Sequence, residues 1–159
     1  MNKGLIVLWI LLSGLNLSCQ KSSGEKQETA AQQLLCEYIS DPLGIDSPEP
    51  RLSWRLDDRR QGAYQSAYKI IVGTDSVAVS NGKGEMWQTG KTRNSLMLHT
   101  YNGKALQTFT KYFWTVKVWD QDNKEAALSR VASFETGMMN KKNWIGEWIT
   151  DTEDAELKP

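Results

Sequence analysis

The residues of this 159-residue chain that could do chemistry are few and scattered. His99 is the single histidine, and no acid or thiol stands near it at ligand spacing, so neither a metal tetrad nor a nucleophile–base pair can be built around it. It reads as a surface histidine. Asp41, Asp46, Asp120, Asp122 and Glu135 fall in turns or on alternating strand positions, where a carboxylate serves as solvated surface or turn acceptor, not as half of a tuned acid–base pair. Gly82, Gly84 and Gly90 belong to turns, because no GxGxxG leads a strand into a helix. No catalytic residue, metal ligand or cofactor site is assigned. What remains is aromatic, seven Trp in all. Trp87, Trp119, Trp144 and Trp148 offer flat faces to a sugar ring, with Asp120 beside Trp119 to accept hydroxyls, or to a neighbouring protein module. For Trp87 and Trp119, contact with a neighbouring module or lateral packing across the sheet is preferred to sugar stacking.

Strands must position these side chains. Residues 106–120 read LQTFTKYFWTVKVWD, and alternation sets Tyr112, Trp114, Val116 and Val118 on one face against Phe113, Thr115, Lys117 and Trp119 on the other. Leu106 precedes Tyr112 by six residues, a spacing that resembles the corner tyrosine of fibronectin type III-like sandwiches. In residues 51–56, Leu52, Trp54 and Leu56 alternate with Ser53 and Arg55, which makes Trp54 a core residue facing the Tyr112 strand. Residues 67–74 follow with Tyr68, Ile70 and Val72 on one side. Residues 86–91, 94–100 and 130–136 continue the pattern, with Phe134 inward. Residues 34–39 form the first strand, and Pro42, Pro48 and Pro50 exclude a regular ladder after it. Polar turns are expected at 57–62 and 120–125. Asn102-Gly103 precedes a strand beginning near Thr108, and one helical turn spans 75–81, capped by Thr74 or Asp75. The expected fold class is all-β: an Ig or fibronectin type III-like β-sandwich over residues 34–137.

The chain opens with Lys3, an apolar run over residues 5–12, and small or polar residues leading to Cys19. This is the pattern of an export signal over residues 1–18, too short to stay in a bilayer as a spanning helix of about 20 residues. Cys19, behind Leu17 and Ser18, resembles the lipidated cysteine of a bacterial lipobox, although Asn16 stands where that pattern usually has Leu. The alternative is ordinary cleavage near Ser18 with Cys19 a spectator. Residues 19–33, rich in Ser, Gln, Lys and Glu, read as a flexible tether. If Cys19 carries lipid, Cys36 has no partner for a disulfide, and its place in LLCEYI is that of a small buried hydrophobe. Lys plus Arg equal Asp plus Glu at 19 each, so no net field recruits nucleic acid. At the far end, residues 138–159 hold WIGEWI, an apolar strand that would invite association if left in water. It is expected to be the first strand of a following domain; the other reading adds it to the edge of the same sandwich.

Six segments taken together point to a family. CEYISDPLGIDSPEPRLSWRL, QSAYKIIVGT, MWQTGKT, YNGKALQTFTKYFWTVKVWD, FETGMM and WIGEWI resemble, in order and spacing, the start of bacterial α-L-rhamnosidases of glycoside hydrolase family 78. The resemblance covers nearly all of residues 34–149. It implies a fibronectin-like N-terminal module followed by a jelly-roll module, another β domain, an (α/α)6 catalytic barrel and a C-terminal β domain. It also implies an inverting glycosidase, which needs one carboxylic acid for the leaving oxygen and one carboxylate for water. No residue of this chain matches either. The expectation is an exported, membrane-anchored lipoprotein module of the bacterial envelope, inactive alone, whose partners are the rest of the rhamnosidase and a rhamnose-containing glycan. The alternative is a free-standing surface lipoprotein whose sandwich binds a glycan or a protein.

Overall fold

The computed structural model describes residues 29–147. Seven strands form two antiparallel sheets: β1 (Ala30–Cys36), β2 (Arg51–Asp57) and β5 (Leu98–Thr100) in the order β1-β2-β5, and β4 (Trp87–Gln88), β3 (Gln65–Gly73), β6 (Lys111–Asp120) and β7 (Ala132–Glu135) in the order β4-β3-β6-β7. One helical turn, α1 (Ser76–Ser80), follows β3 and packs on β3 and β6. Asp75 caps it, its carboxylate accepting the Val77 and Ala78 amides.

The alternation of β6 decides the core. Tyr112, Trp114, Val116 and Val118 all point inward and are buried, meeting Trp54 and Leu52 of β2, Leu34 of β1, Ile70 and Val72 of β3 and Phe134 of β7. Tyr112 performs the corner role its spacing predicts: its hydroxyl accepts the Gln107 amide at 2.8 Å while Leu106 packs against the core. Trp54 is the cross-sheet link, its indole N–H donating at 2.9 Å to the side-chain oxygen of Gln65, which is itself buried. The Gln65 amide nitrogen donates in turn to the carbonyls of Asn94 and Leu96.

Several boundaries differ from the pattern-based expectation. The first strand begins at Ala30, inside the segment read as tether, because its early residues are held by pairing with Leu56 and Asp57 and not by their own hydrophobicity. Ala31, Leu34 and Cys36 all face the core although 31 and 34 differ in parity; a bulge at Gln33 (φ 49°) resets the register between them. The stretch expected as two strands over 86–100 shrinks to β4 and β5, because the chain changes sheets within it. Trp87–Gln88 pairs with β3 and Leu98–Thr100 pairs with β2, with the left-handed Gly90 (φ 67°) between them. The long strand starts at Lys111, since Thr108 and Phe109 form a turn with Phe109 at φ 49°.

The chain enters at one end of the sandwich, beside Thr29, where Asp57, Gln65 and Asp120 also lie, and leaves at the other, where Cys36, Arg51, Lys111 and Glu135 lie. Gln65→Leu strands the buried Trp54 indole N–H and is expected to cost about 2–3 kcal/mol, whereas Tyr112→Phe loses one acceptor and costs about 1 kcal/mol. Urea denaturation followed by tryptophan fluorescence separates the two.

Candidate functional site

Among the described residues, the leading end holds a dense cluster of carboxylates. β6 terminates in Asp120, whose carboxylate folds back to accept the amides of Asp122 (3.0 Å) and Lys124 (2.8 Å), fixing the polar turn that follows. Across from it, Asp58 accepts both the backbone amide and the guanidinium of Arg60 two residues on. Arg60 then spans the gap, 2.9 Å from Asp120 and 2.8 Å from Asp122. Arg60, Asp120 and Asp122, with Thr29, Lys117 and Glu125, wall an open groove of about 470 Å3. The Asp58 and Asp120 carboxylates are nearly inaccessible to solvent, while Arg60 is partly exposed.

The electrostatics show what this cluster can do. The Arg60 guanidinium, then its amide and the Thr29 hydroxyl, hold the Asp58 carboxyl well below the usual range against the opposing effect of burial. Burial pushes Asp120 upward, and the Lys124 amide, Arg60 and the Asp122 amide together outweigh it, so Asp120 is lowered as well. A general acid for glycoside cleavage needs the opposite shift, a carboxyl kept protonated near neutral pH. This cluster is a clamp that closes loops, not an acid–base pair. Elsewhere Arg51 lowers Glu37, the Thr74 hydroxyl and amide outweigh burial to lower Glu85, and Lys117 lowers Glu125.

The other residues singled out from sequence are mostly absorbed by packing. Asp41 accepts the Ser133 amide at 2.7 Å and Asp46 accepts the Met139 amide at 2.8 Å, so both tie the 41–46 loop to the return chain at the trailing end. His99 is half-buried, its ring centroid 5.4 Å from Trp54 and 4.1 Å from Tyr68, with Nε2 bonded to the Leu96 carbonyl. Trp119 is only 7% exposed and lies under the Lys91 ammonium, 4.5 Å from its ring centroid. Trp87 is half-buried against Tyr101. Trp144 is 50% exposed. Cys19 and Trp148 lie outside the described residues. Cys36 is buried, and burial, with the Glu37 charge adding to it, pushes its thiol up to about 12, which makes it inert. Sequence reasoning passed over Arg60 and Asp58, taking the 57–62 segment for a solvated turn; the signal available was the Asp-x-Arg spacing that lets one carboxylate take both amide and guanidinium.

A family model for the Rha78A-like, N-terminal immunoglobulin domain matches residues 31–140. The chain belongs to that family. Among curated relatives, an α-L-rhamnosidase of Formosa agariphila is 33% identical over 148 residues, which is 92% of this chain and 16% of that protein. An α-L-rhamnosidase of Streptomyces avermitilis is 36% identical over 115 residues, 72% of this chain and 11% of that protein. The solved α-L-rhamnosidase of Dictyoglumus thermophilum superposes with a TM-score of 0.76 at 38% identity, covering 78% of this chain and 14% of that one. The Rha78A-like domain described here thus corresponds to the N-terminal immunoglobulin-like part of α-L-rhamnosidases and spans only a small fraction of their length.

Carboxyls held below their unfolded value contribute stability that is complete above the ordinary carboxylate range and is lost as pH falls from there through their lowered folded-state values. Arg60→Gln is expected to lower the thermal midpoint modestly at neutral pH, since Arg60 is partly exposed. The gap between variant and wild type should begin to narrow below about pH 4 and shrink further as the pH approaches the lowered values of Asp58 and Asp120. Thermal unfolding from pH 7 to pH 3 measures it.

Proposed function

We propose that this chain is the N-terminal, non-catalytic module of an exported, lipid-anchored α-L-rhamnosidase. The complete protein hydrolyses terminal α-L-rhamnosyl linkages, and this module braces the domains that carry the chemistry. The observation that carries the reading is the match of residues 31–140 to the N-terminal domain of that family. The state of the carboxylates supports it: Asp58 and Asp120 are committed to Arg60 and to backbone amides and are lowered, the wrong direction for a glycosidase acid.

The trailing end supports the bracing role. Loop 41–46, the turn at Phe109 and the chain after β7 are stitched together there, with Pro42 accepting the Glu135 amide, Ile45 bonded to Glu135 and Gly137, and the Phe109 amide bonded to Gly137. On this stitched surface Leu43 is 75% exposed and Phe109 67% exposed, and the chain runs on to Ile145 at 98%. Phe109 is also held in the left-handed region, at a cost of order 1 kcal/mol. Apolar side chains presented from strained, well-bonded loops suit a protein interface, and the following module of the same polypeptide is the partner the reading assigns. WIGEWI then serves as the first strand of that module.

The purified chain should release no aryl product from an aryl α-L-rhamnoside above a heat-inactivated control; turnover clearly above it contradicts the non-catalytic role. In a bacterial expression host, labelled palmitate should enter the protein, and Cys19→Ser should abolish the labelling.

A further inference from the structure

The outer face of the four-stranded sheet carries a second groove of about 470 Å3, which shares Lys117 and Glu125 with the Arg60 groove beside it and is unused by the bracing role. Lys69, Lys91 and Lys117 stand along it with Glu125, over Trp119 and Leu128. The register explains the convergence. Lys69 on β3 and Lys117 on β6 are direct cross-strand partners. The turn at Gly90 brings Lys91 over the Trp119 ring, where its ammonium also donates to the Asn123 side-chain oxygen at 2.7 Å.

This arrangement is not what sheet stability selects. Like charges directly opposite each other on paired strands destabilise a sheet. One carboxylate, Glu125, faces three ammonium groups: it pairs with Lys117, and Lys91 and Lys69 add to the pull on it. Three lysines against one glutamate leave two excess positive charges in the groove of a chain whose charges balance overall at 19 against 19. At Gly90 nothing lies within 4 Å of where a side chain would begin, so that wall stays open.

We propose that this groove binds an acidic sugar unit of a polysaccharide, its anionic group held among Lys69, Lys91 and Lys117 and its ring resting on Leu128, the lysine stems and the edge of Trp119. The volume suits one or two sugar residues, within the range of small-ligand sites. The charge excess matches a single carboxylate or sulfate. It is too small and too local for a nucleic-acid backbone, whose binding sums many phosphate contacts.

The test is an amide NMR titration of the whole chain in 0.15 M NaCl with trigalacturonate, with a sulfated, uronate-free carrageenan disaccharide, and with neutral maltotriose. Saturable shifts are expected at Lys69, Lys91, Lys117 and Glu125 with at least one acidic probe and not with maltotriose; which probe acts tells carboxylate from sulfate. Lys69→Gln and Lys91→Gln should each weaken binding about threefold or more, the size of one partly exposed ion pair, and Lys83→Gln, outside the groove, should not. Lys69→Gln should also raise the thermal midpoint, because it removes the like-charge pair, so loss of binding cannot be attributed to loss of fold. The proposal is overturned by an absence of shifts with both acidic probes, by equal shifts with maltotriose, by shifts spread over lysines across the surface, or by unchanged affinity in both groove variants.

Discussion

One hydrogen bond organises this molecule, the one from the Trp54 indole to the Gln65 side chain between the two sheets. A sandwich without a disulfide among its described residues must fix how its layers face each other by packing alone, and apolar packing is non-directional. A buried indole N–H and a buried amide cannot be satisfied in any other relative position of β2 and β3, so they supply the direction. Gln65 extends the same constraint to the crossing segment through Asn94 and Leu96. His99 then stacks on Trp54, and Tyr68 packs tilted against both rings. Trp114 shows the contrast: its indole N–H is buried without a partner, a cost of about 1–3 kcal/mol. Burying its ring, worth about 4–6 kcal/mol, offsets that cost.

The rest of the polar chemistry serves the same end. Arg60 clamps the loops of the leading end through Asp58, Asp120 and Asp122, and Asp41 and Asp46 pin the loops of the trailing end through backbone amides. The two ends therefore differ in character. The leading end is charged and closed on itself, while the trailing end sets rigid loops under exposed Leu43 and Phe109. A module that orients its neighbours benefits from this division, since stiffness at the loops transmits position and apolar side chains supply the contact. The N-terminal place of the matching domain in α-L-rhamnosidases agrees with that use.

How much of this was legible in the sequence depends on whether one residue or several decide a feature. Period-two alternation alone carries the inward face of β6, and the six-residue step from Leu106 to Tyr112 carries the corner, because each is a local geometric consequence of a strand. Trp54 and Phe134 as core were readable for the same reason, while the capping signal narrowed to Thr74 or Asp75, of which Asp75 is the cap. The bulge at Gln33 was not, since it answers to the register of a partner strand rather than to its own residues. Gln65 was missed because a buried glutamine looks like a surface one until the indole it serves is placed. The Arg60 cluster joins positions 58, 60, 120 and 122, which only the shared end of β3 and β6 brings together. For Trp119, alternation reports the side of the sheet and not what covers it, so module contact and lateral packing stayed open; Lys91 packing over its ring decides it.

The central claim is that the carboxylates of this fold are spent on structure, and an NMR titration of the side-chain carboxyls tests it most directly. Asp58, Asp120, Glu37, Glu85 and Glu125 should all titrate below the ordinary values for their type. A carboxyl in the Arg60 groove that titrates at about pH 6 or above, as a glycosidase acid must, would contradict the account.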